Sequence, residues 1–289
     1  MKRLILLFYT ILCTISIAAQ NRPAIELAGE WVDNKYVQHA SNNDYCPYYI
    51  AVDLTKVIGF NNVHGSSYTT TILGRSKKTL YTLVPSGTIS SNASITYHNY
   101  RGDINNKLNI DFQYALPIKQ GSTAEVHIQD NSDYAIVFDM SSTVDTIYAC
   151  RGGIVCDDDL SDTSSKGYRK TDKILTVYHN DGTMAEYKMF SQALVYPGES
   201  INMGDPIAVC KSDNAKMISI GIYFLDKNKV QVEKDGRKHS HFKPFYHTLN
   251  SGIVRLEAGN SYTSEITEEM IMQDMSSGEK KRYLKSIQK

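Results

Sequence analysis

The closest-spaced histidines in the chain are His239 and His241, in His239-Ser240-His241-Phe242. On a strand, residues two apart share a face, so both imidazoles could reach one metal ion. The pair follows a polar run, Glu233-Lys234-Asp235-Gly236-Arg237-Lys238, which predicts two solvent-facing loop histidines instead. His179 borders Asn180-Asp181-Gly182, a strong hairpin-turn signal, and is also expected to be exposed. His39, His64, His98 and His247 have no partner at metal spacing. Asp157-Asp158-Asp159 with Asp162 lacks the glycine and glutamate that a calcium loop needs at its sixth and twelfth positions. The expectation there is a solvated acidic loop.

Cysteine chemistry depends on the compartment. Lys2 and Arg3 precede the apolar run Leu4 to Ala19, which ends in small residues and turns polar at Gln20. That is the pattern of a secretory leader. The run is short of the roughly 20 residues that span a bilayer. Cys13 could instead carry a lipid, but Thr10-Ile11-Leu12 before it lacks the expected small residues. Cleavage near residue 19 predicts a secreted or periplasmic protein of the cell envelope, with no transmembrane segment afterwards. Cys46, Cys150, Cys156 and Cys210 would remain. An even number permits two disulfides in an oxidising compartment, and buried thiols are equally compatible. No Cys-x-x-Cys knuckle occurs, so these cysteines do not form a standard zinc site.

The elements that must position these groups are strands. The chain has 20 tyrosines and zero formal net charge. Charge balance gives no basic field for nucleic acid or an anionic membrane. Neither a Walker loop nor a dinucleotide glycine fingerprint occurs. Residues 20–115 read as a β-sandwich module, with strands at Tyr48 to Leu54, Tyr68 to Leu73, Thr79 to Val84, Ile95 to Tyr100 and Leu108 to Phe112. Residues 116–260 read as a second strand-rich unit. Residues 261–289 form a helical tail: a helix over Glu265 to Met275 capped by Ser261 or Ser264, a break at Ser276-Ser277-Gly278, then a short basic helix or frayed end. Ile266, Met270, Ile271 and Met275 predict that the first of these helices packs on the body.

The order of motifs in residues 116–260 resembles the lysostaphin-type (LytM-like) zinc metallopeptidases, in a Bacteroidetes-type secreted form. Tyr134-Ala135-Ile136-Val137-Phe138-Asp139-Met140 looks like the family's aspartate-bearing segment. Val144 to Val155, reading VDTIYACRGGIV, resembles the following strand, usually of the form GTPVYAARDGVV. Val177 to Gly182 and Ala185 to Phe190 match its hairpin. Val195 to Val209, with Gly198 and Gly204-Asp205-Pro206-Ile207-Ala208, resembles its V-x-x-G-x-x-V-x-x-G-D-x-I-A element. Phe242 to Tyr262 looks like its closing strands. The resemblance implies an all-β fold: the N-terminal sandwich followed by a LytM-like antiparallel sheet, in which the strands at 135–139, 185–190 and 218–225 lie side by side.

Members of that family hold one zinc through an early His, an Asp and the second His of a His-x-His pair, leaving a fourth position for water. Two more histidines serve as base and oxyanion partner. Here the early His corresponds to His127. The Asp falls on Val137, with Asp139 two positions on. The Tyr-x-His histidine falls on Met189, beside Tyr187. The His-x-His pair falls on Ser219-Ile220-Gly221. Valine, methionine and glycine offer zinc no suitable ligand. The resemblance therefore implies a vestigial groove of His127, Val137, Asp139, Tyr187, Met189, Ser219 and Gly221, with no catalytic residue and no resident metal. Its expected partners are peptidoglycan peptides or a cell-envelope protein. Two other readings stay open. One is an active zinc endopeptidase with the altered ligand set His127, Asp139, His239 and His241. The other is a secreted β-protein unrelated to peptidases.

Overall fold

The computed structural model of the chain describes residues 23–61, 67–87, 92–129, 135–140, 146–158, 173–210, 217–232 and 238–287. The expected leader with Cys13 lies outside them, as do His64, Tyr134, Val144, Asp159, Asp162 and the polar run at 233–237. The first strands are β1 (Ile25–Val32), β2 (Lys35–Asn42), β3 (Tyr48–Ile58), β4 (Phe60–Asn61), β5 (Ser67–Ile72), β6 (Lys77–Pro85) and β7 (Asn92–Arg101). Next come β8 (Gln113–Tyr114), β9 (Thr123–Gln129), β10 (Ala135–Met140), β11 (Thr146–Tyr148), β12 (Gly153–Val155), β13 (Leu175–Tyr178) and β14 (Thr183–Lys188). Then β15 (Gln192–Ala193), β16 (Ser200–Ile201), β17 (Pro206–Val209) and β18 (Met217–Leu225) lead to helix α1 (Lys227–Val232). The chain continues through β19 (His239–His241), β20 (Phe245–Thr248), β21 (Gly252–Val254), β22 (Ser261–Thr263), α2 (Glu268–Ile271) and α3 (Ser277–Ile287). The fold is all-β with a helical end.

Two sheets, β1-β2-β6-β4 and β5-β3-β7, form the first sandwich. Alternation decides its core: Ile50, Val52 and Leu54 of β3 turn inward with Ile72, Tyr81, Leu83 and Ala40. The β1–β2 hairpin was not anticipated. Its turn residues Asp33 and Asn34 both hold positive φ, 46° and 59°, the geometry that two-residue hairpins favour.

The main sheet has the order β16-β12-β13-β14-β18-β10-β9-β22, and β19 also pairs with β18. The strands at 135–140, 183–188 and 217–225 therefore adjoin, with β18 in the middle. On the inner face Val126, Ile136, Phe138, Ile218, Ile220, Ile222, Ala185 and Tyr187 build the larger core. Two small sheets, β11-β17-β15 and β21-β20-β8, accompany it.

Several sequence expectations are corrected. Leu108 to Phe112 forms no strand. Asn109 donates its backbone N–H to Asp181 at 2.9 Å, and the Phe112 ring lies 3.7 Å from the Arg151 guanidinium carbon, so tertiary partners take up this segment. The tail does not begin as helix: β22 joins the edge of the main sheet at β9. Its first helix is one turn, capped by Thr267, whose Oγ1 accepts the Met270 N–H at 3.3 Å. Met270 does bury against the body. The break between the two tail helices falls at 272–276, so Ser277 and Gly278 already belong to α3. Ser276 N–H donates to the Glu279 carboxylate at 2.8 Å and Glu279 N–H to Ser276 Oγ at 3.4 Å, a capping box.

Candidate functional site

The outer face of the main sheet carries most of the positions that sequence singled out. In register, His127 faces Val137, Val137 faces Ser219, and Ser219 faces Lys188. Directly opposed residues share a face, so one row crosses four strands. Glu125 and Met217 flank Asp139 in the next row, and Gly221 faces Glu186 on the other side. Val137 and Ser219 are buried, while Met189 is exposed. The His127 imidazole is half-exposed, and its Nε2 lies 3.9 Å from both Glu125 and Asp139. That is beyond hydrogen-bond length.

Tyr187 is not in this row. It pairs with Ile220 and is fully buried on the core face, where its hydroxyl accepts the Cys150 N–H at 2.9 Å. Parity explains the correction. Residues two apart share a face only while the strand continues, and Met189 leaves it with φ 69°.

His239 and His241 lie on a strand, not in a solvent loop. They pair with Leu225 and Tyr223 at the far end of β18. His239 Nε2 donates to the Arg101 carbonyl at 2.8 Å, and the Tyr223 ring packs against both imidazoles. Tyr223 is four residues from Ser219, about 13 Å along a strand. The pair therefore does not converge with His127 and Asp139. Among the described residues, one set of three potential ligands meets closely: Asp44, Cys46 and Cys156. Its two sulfurs are joined to each other as a disulfide, so it does not fit a metal ion. The outer face carries His127, Glu125 and Asp139, but these three do not meet as one close set, and Val137, Gly221 and Met189 add no hard or borderline ligand.

Two arginines organise the remaining polar groups, Arg101 partly buried and Arg151 fully so. Arg101, at the end of β7, donates from Nε to Asp44 at 3.0 Å and from Nη1 to Asp158 at 2.6 Å. Asp44 also accepts the Asp157 N–H at 2.8 Å, and Asp158 the Thr176 N–H at 2.7 Å. Asp158 is thus an ion-pair partner, not part of a solvated loop. Burial lowers the Arg101 pKa, but Asp158, Tyr48 and Asp44 raise it further, so it stays charged. The disulfide Cys46–Cys156 lies beside this network and joins the first sandwich to the main sheet. Cys150 and Cys210 are buried thiols, and burial pushes Cys150 well above the usual thiol range.

Arg151 is fully buried. Its Nε and Nη2 grip Asp274 at 2.7 and 2.9 Å, a two-pronged carboxylate contact. Its Nη1 reaches Asp181, Tyr114 and Thr183 at 3.0, 3.2 and 3.3 Å. Burial pushes Asp181 up, but Arg151 and the Thr183 and Asn109 donors outweigh it and hold the carboxyl below its ordinary value. Burial raises Tyr114 to about 12, so its hydroxyl stays protonated near neutrality while its oxygen accepts from Arg151. His179, expected at the surface, is fully buried in the same cluster. Its Nδ1 donates to the Gly152 carbonyl at 2.8 Å, leaving an Nε2 lone pair with no hydrogen-bond partner. Burial and then the Arg151 charge lower its pKa to about 3, so it is neutral. A cation would meet Arg151 repulsion here. A cleft of about 250 Å³, lined by Phe112, Met203, Met270, Asp274 and Met275, opens beside the cluster.

No family model matches the chain, and no curated protein matches it. Solved structures similar to it include M23 peptidase structures. One is pseudoalterin, a deep-sea M23 metalloprotease: 12% identity, TM-score 0.31, covering 54% of this chain and 96% of that one. A further similar structure is that of Helicobacter pylori Csd3: 10% identity, TM-score 0.28, covering 91% of this chain and 77% of that one. At these values the likeness carries no argument about activity.

Sequence reading missed Arg151, Asp181, Asp274 and the burial of His179. Asp181 and His179 sit at a hairpin whose residues ordinarily face solvent. Asp274 is 123 residues from Arg151. The one available signal was Arg151 itself, in the apolar run Ile147 to Val155, where a buried cation demands acids from elsewhere.

Proposed function

We propose that this chain is an exported, catalytically silent relative of the cell-wall zinc endopeptidases that uses the outer face of its main sheet to hold a peptide. The supporting observation is the row His127–Val137–Ser219–Lys188 across adjacent strands. Positions that the motif resemblance assigns to ligand and base occupy or adjoin that row; of these His127 keeps a zinc-binding imidazole, whereas Val137, Met189 and Gly221 can neither bind zinc nor take a proton from water near neutral pH. The backbone groups of these four strands pair within the sheet, so an extended peptide lying across the face would be held by side-chain contacts. Affinity would be modest without a metal anchor. The disulfide between Cys46 and Cys156 supports export, because such bridges persist in oxidising compartments.

Elemental analysis, a muropeptide-release assay and titration with peptidoglycan stem peptides test this reading. We expect no stoichiometric zinc, no cleavage and saturable peptide binding that Ser219→Arg weakens. One zinc per chain with peptide cleavage, lost in His127→Ala, would establish the active reading instead. Absence of both binding and cleavage would remove the peptidase-like function altogether.

A further inference from the structure

The final described helix, α3, has no buried residue. An isolated helix of this length is marginal in water, so its formation calls for a covering partner. Its root, by contrast, is held firmly. Met270 is in the core, Gln273 exchanges hydrogen bonds with the Gln113 backbone at 3.2 Å, and Asp274 clamps Arg151. A costly buried ion pair thus fixes the start of a segment that adds nothing to the core.

The composition of α3 is one-sided. Lys280, Lys281, Arg282 and Lys285 stand against one acid, Glu279, itself engaged in the capping box. Tyr283, Leu284 and Ile287 fall on one side of the helix at i, i+1 and i+4 spacing. Leu284 is 37% exposed and Ile287 46%. Lys281, Arg282 and Lys285 lie round the remaining circumference, and Lys280 shares the apolar side, where a long stem lets the ammonium reach outward. An apolar stripe bordered by cations matches a surface that is apolar beneath and negative above.

We infer that α3 docks on an anionic phospholipid surface, lying in the interface with Leu284 and Ile287 inward and the basic residues against headgroup phosphates. Cations near such a surface each strengthen binding about fivefold, and salt weakens the attraction.

The test is co-sedimentation of the whole chain with vesicles of phosphatidylcholine alone or with about 30% phosphatidylglycerol. The chain is compared with its own variants, so its apolar start contributes equally throughout. The expected result is salt-sensitive binding to the anionic vesicles above that to the neutral ones. Lys281→Gln/Arg282→Gln/Lys285→Gln should lose about 100-fold in partition, and Leu284→Ser/Ile287→Ser about tenfold. Both variants should keep the parent's thermal midpoint, since α3 adds nothing to the core. Equal binding to both vesicle types, or an unchanged charge variant, overturns the inference. An unchanged apolar variant also overturns it, because charge alone would then be recognised, as by an acidic protein.

Discussion

Arg101 and Arg151 each pair with two aspartates distant in sequence, but the two clusters are secured differently. The Arg101 cluster has a covalent companion: the Cys46–Cys156 disulfide bridges the same two regions that Asp44 and Asp158 bring together. The Arg151 cluster has none. It alone ties Asp181 of the β13–β14 turn to Asp274 of the tail. Solvent access differs too: the Arg151 side chain is 0% exposed and that of Arg101 17%. A redundant junction tolerates the loss of one element, whereas a solitary buried charge does not.

Among single substitutions, Arg151→Ala should therefore have the largest effect. It strands Asp181 in a buried site and releases the tail, at a cost of about 3–5 kcal/mol in urea unfolding. Arg101→Ala should cost less, about 2–3 kcal/mol, while the disulfide is intact. Reducing the disulfide in the parent removes a constraint across 110 residues, worth about 5 kcal/mol by chain entropy. Reduction of Arg101→Ala should then cost more than the sum of the two changes, because each covers for the other. Simple additivity would show the two ties to be independent.

Asp274→Asn tests the other side of the comparison. It keeps the shape and removes the charge, so about 1–3 kcal/mol should be lost. Proteolysis after residue 264 should also accelerate. A Trp or fluorine probe on α3 would report the loosened root directly.

The smallest expected effect is titration of His179. The unfolded chain protonates it near 6.5, while the fold holds it neutral down to about 3. Stability is thus complete above about pH 6.5 and declines as pH falls toward 3, by about 1.4 kcal/mol per unit. Between pH 7 and 5 the loss should be about 2 kcal/mol at most. His179→Gln should flatten that part of the profile. An equally steep decline in the variant would assign the proton uptake to other groups.

The strand pattern of the main sheet was legible in the sequence. Apolar runs at 135–138, 185–190 and 218–225 alternate or stay continuously apolar as buried strands must, and their neighbourhood followed from motif order. The row of His127, Val137 and Ser219 follows from that neighbourhood, because register fixes which residues oppose one another. Tyr187 was misplaced because a single positive-φ residue, Met189, ended the parity on which the expectation relied. Leu108 to Phe112 was misread because an alternating pattern cannot tell a strand from a loop whose one aromatic ring stacks on a distant arginine.

The sequence by itself determined the all-β class and the absence of zinc-binding side chains at Val137, Met189 and Gly221, since these depend on residue type and local periodicity. Only the tertiary structure decided which cysteines pair, that His179 is buried, that His239 and His241 lie on a strand apart from His127, and that Asp274 belongs to Arg151. Those facts depend on contacts across tens to hundreds of residues. Disulfide geometry, desolvation and ion pairing act through distance in space, which neighbouring residues do not encode.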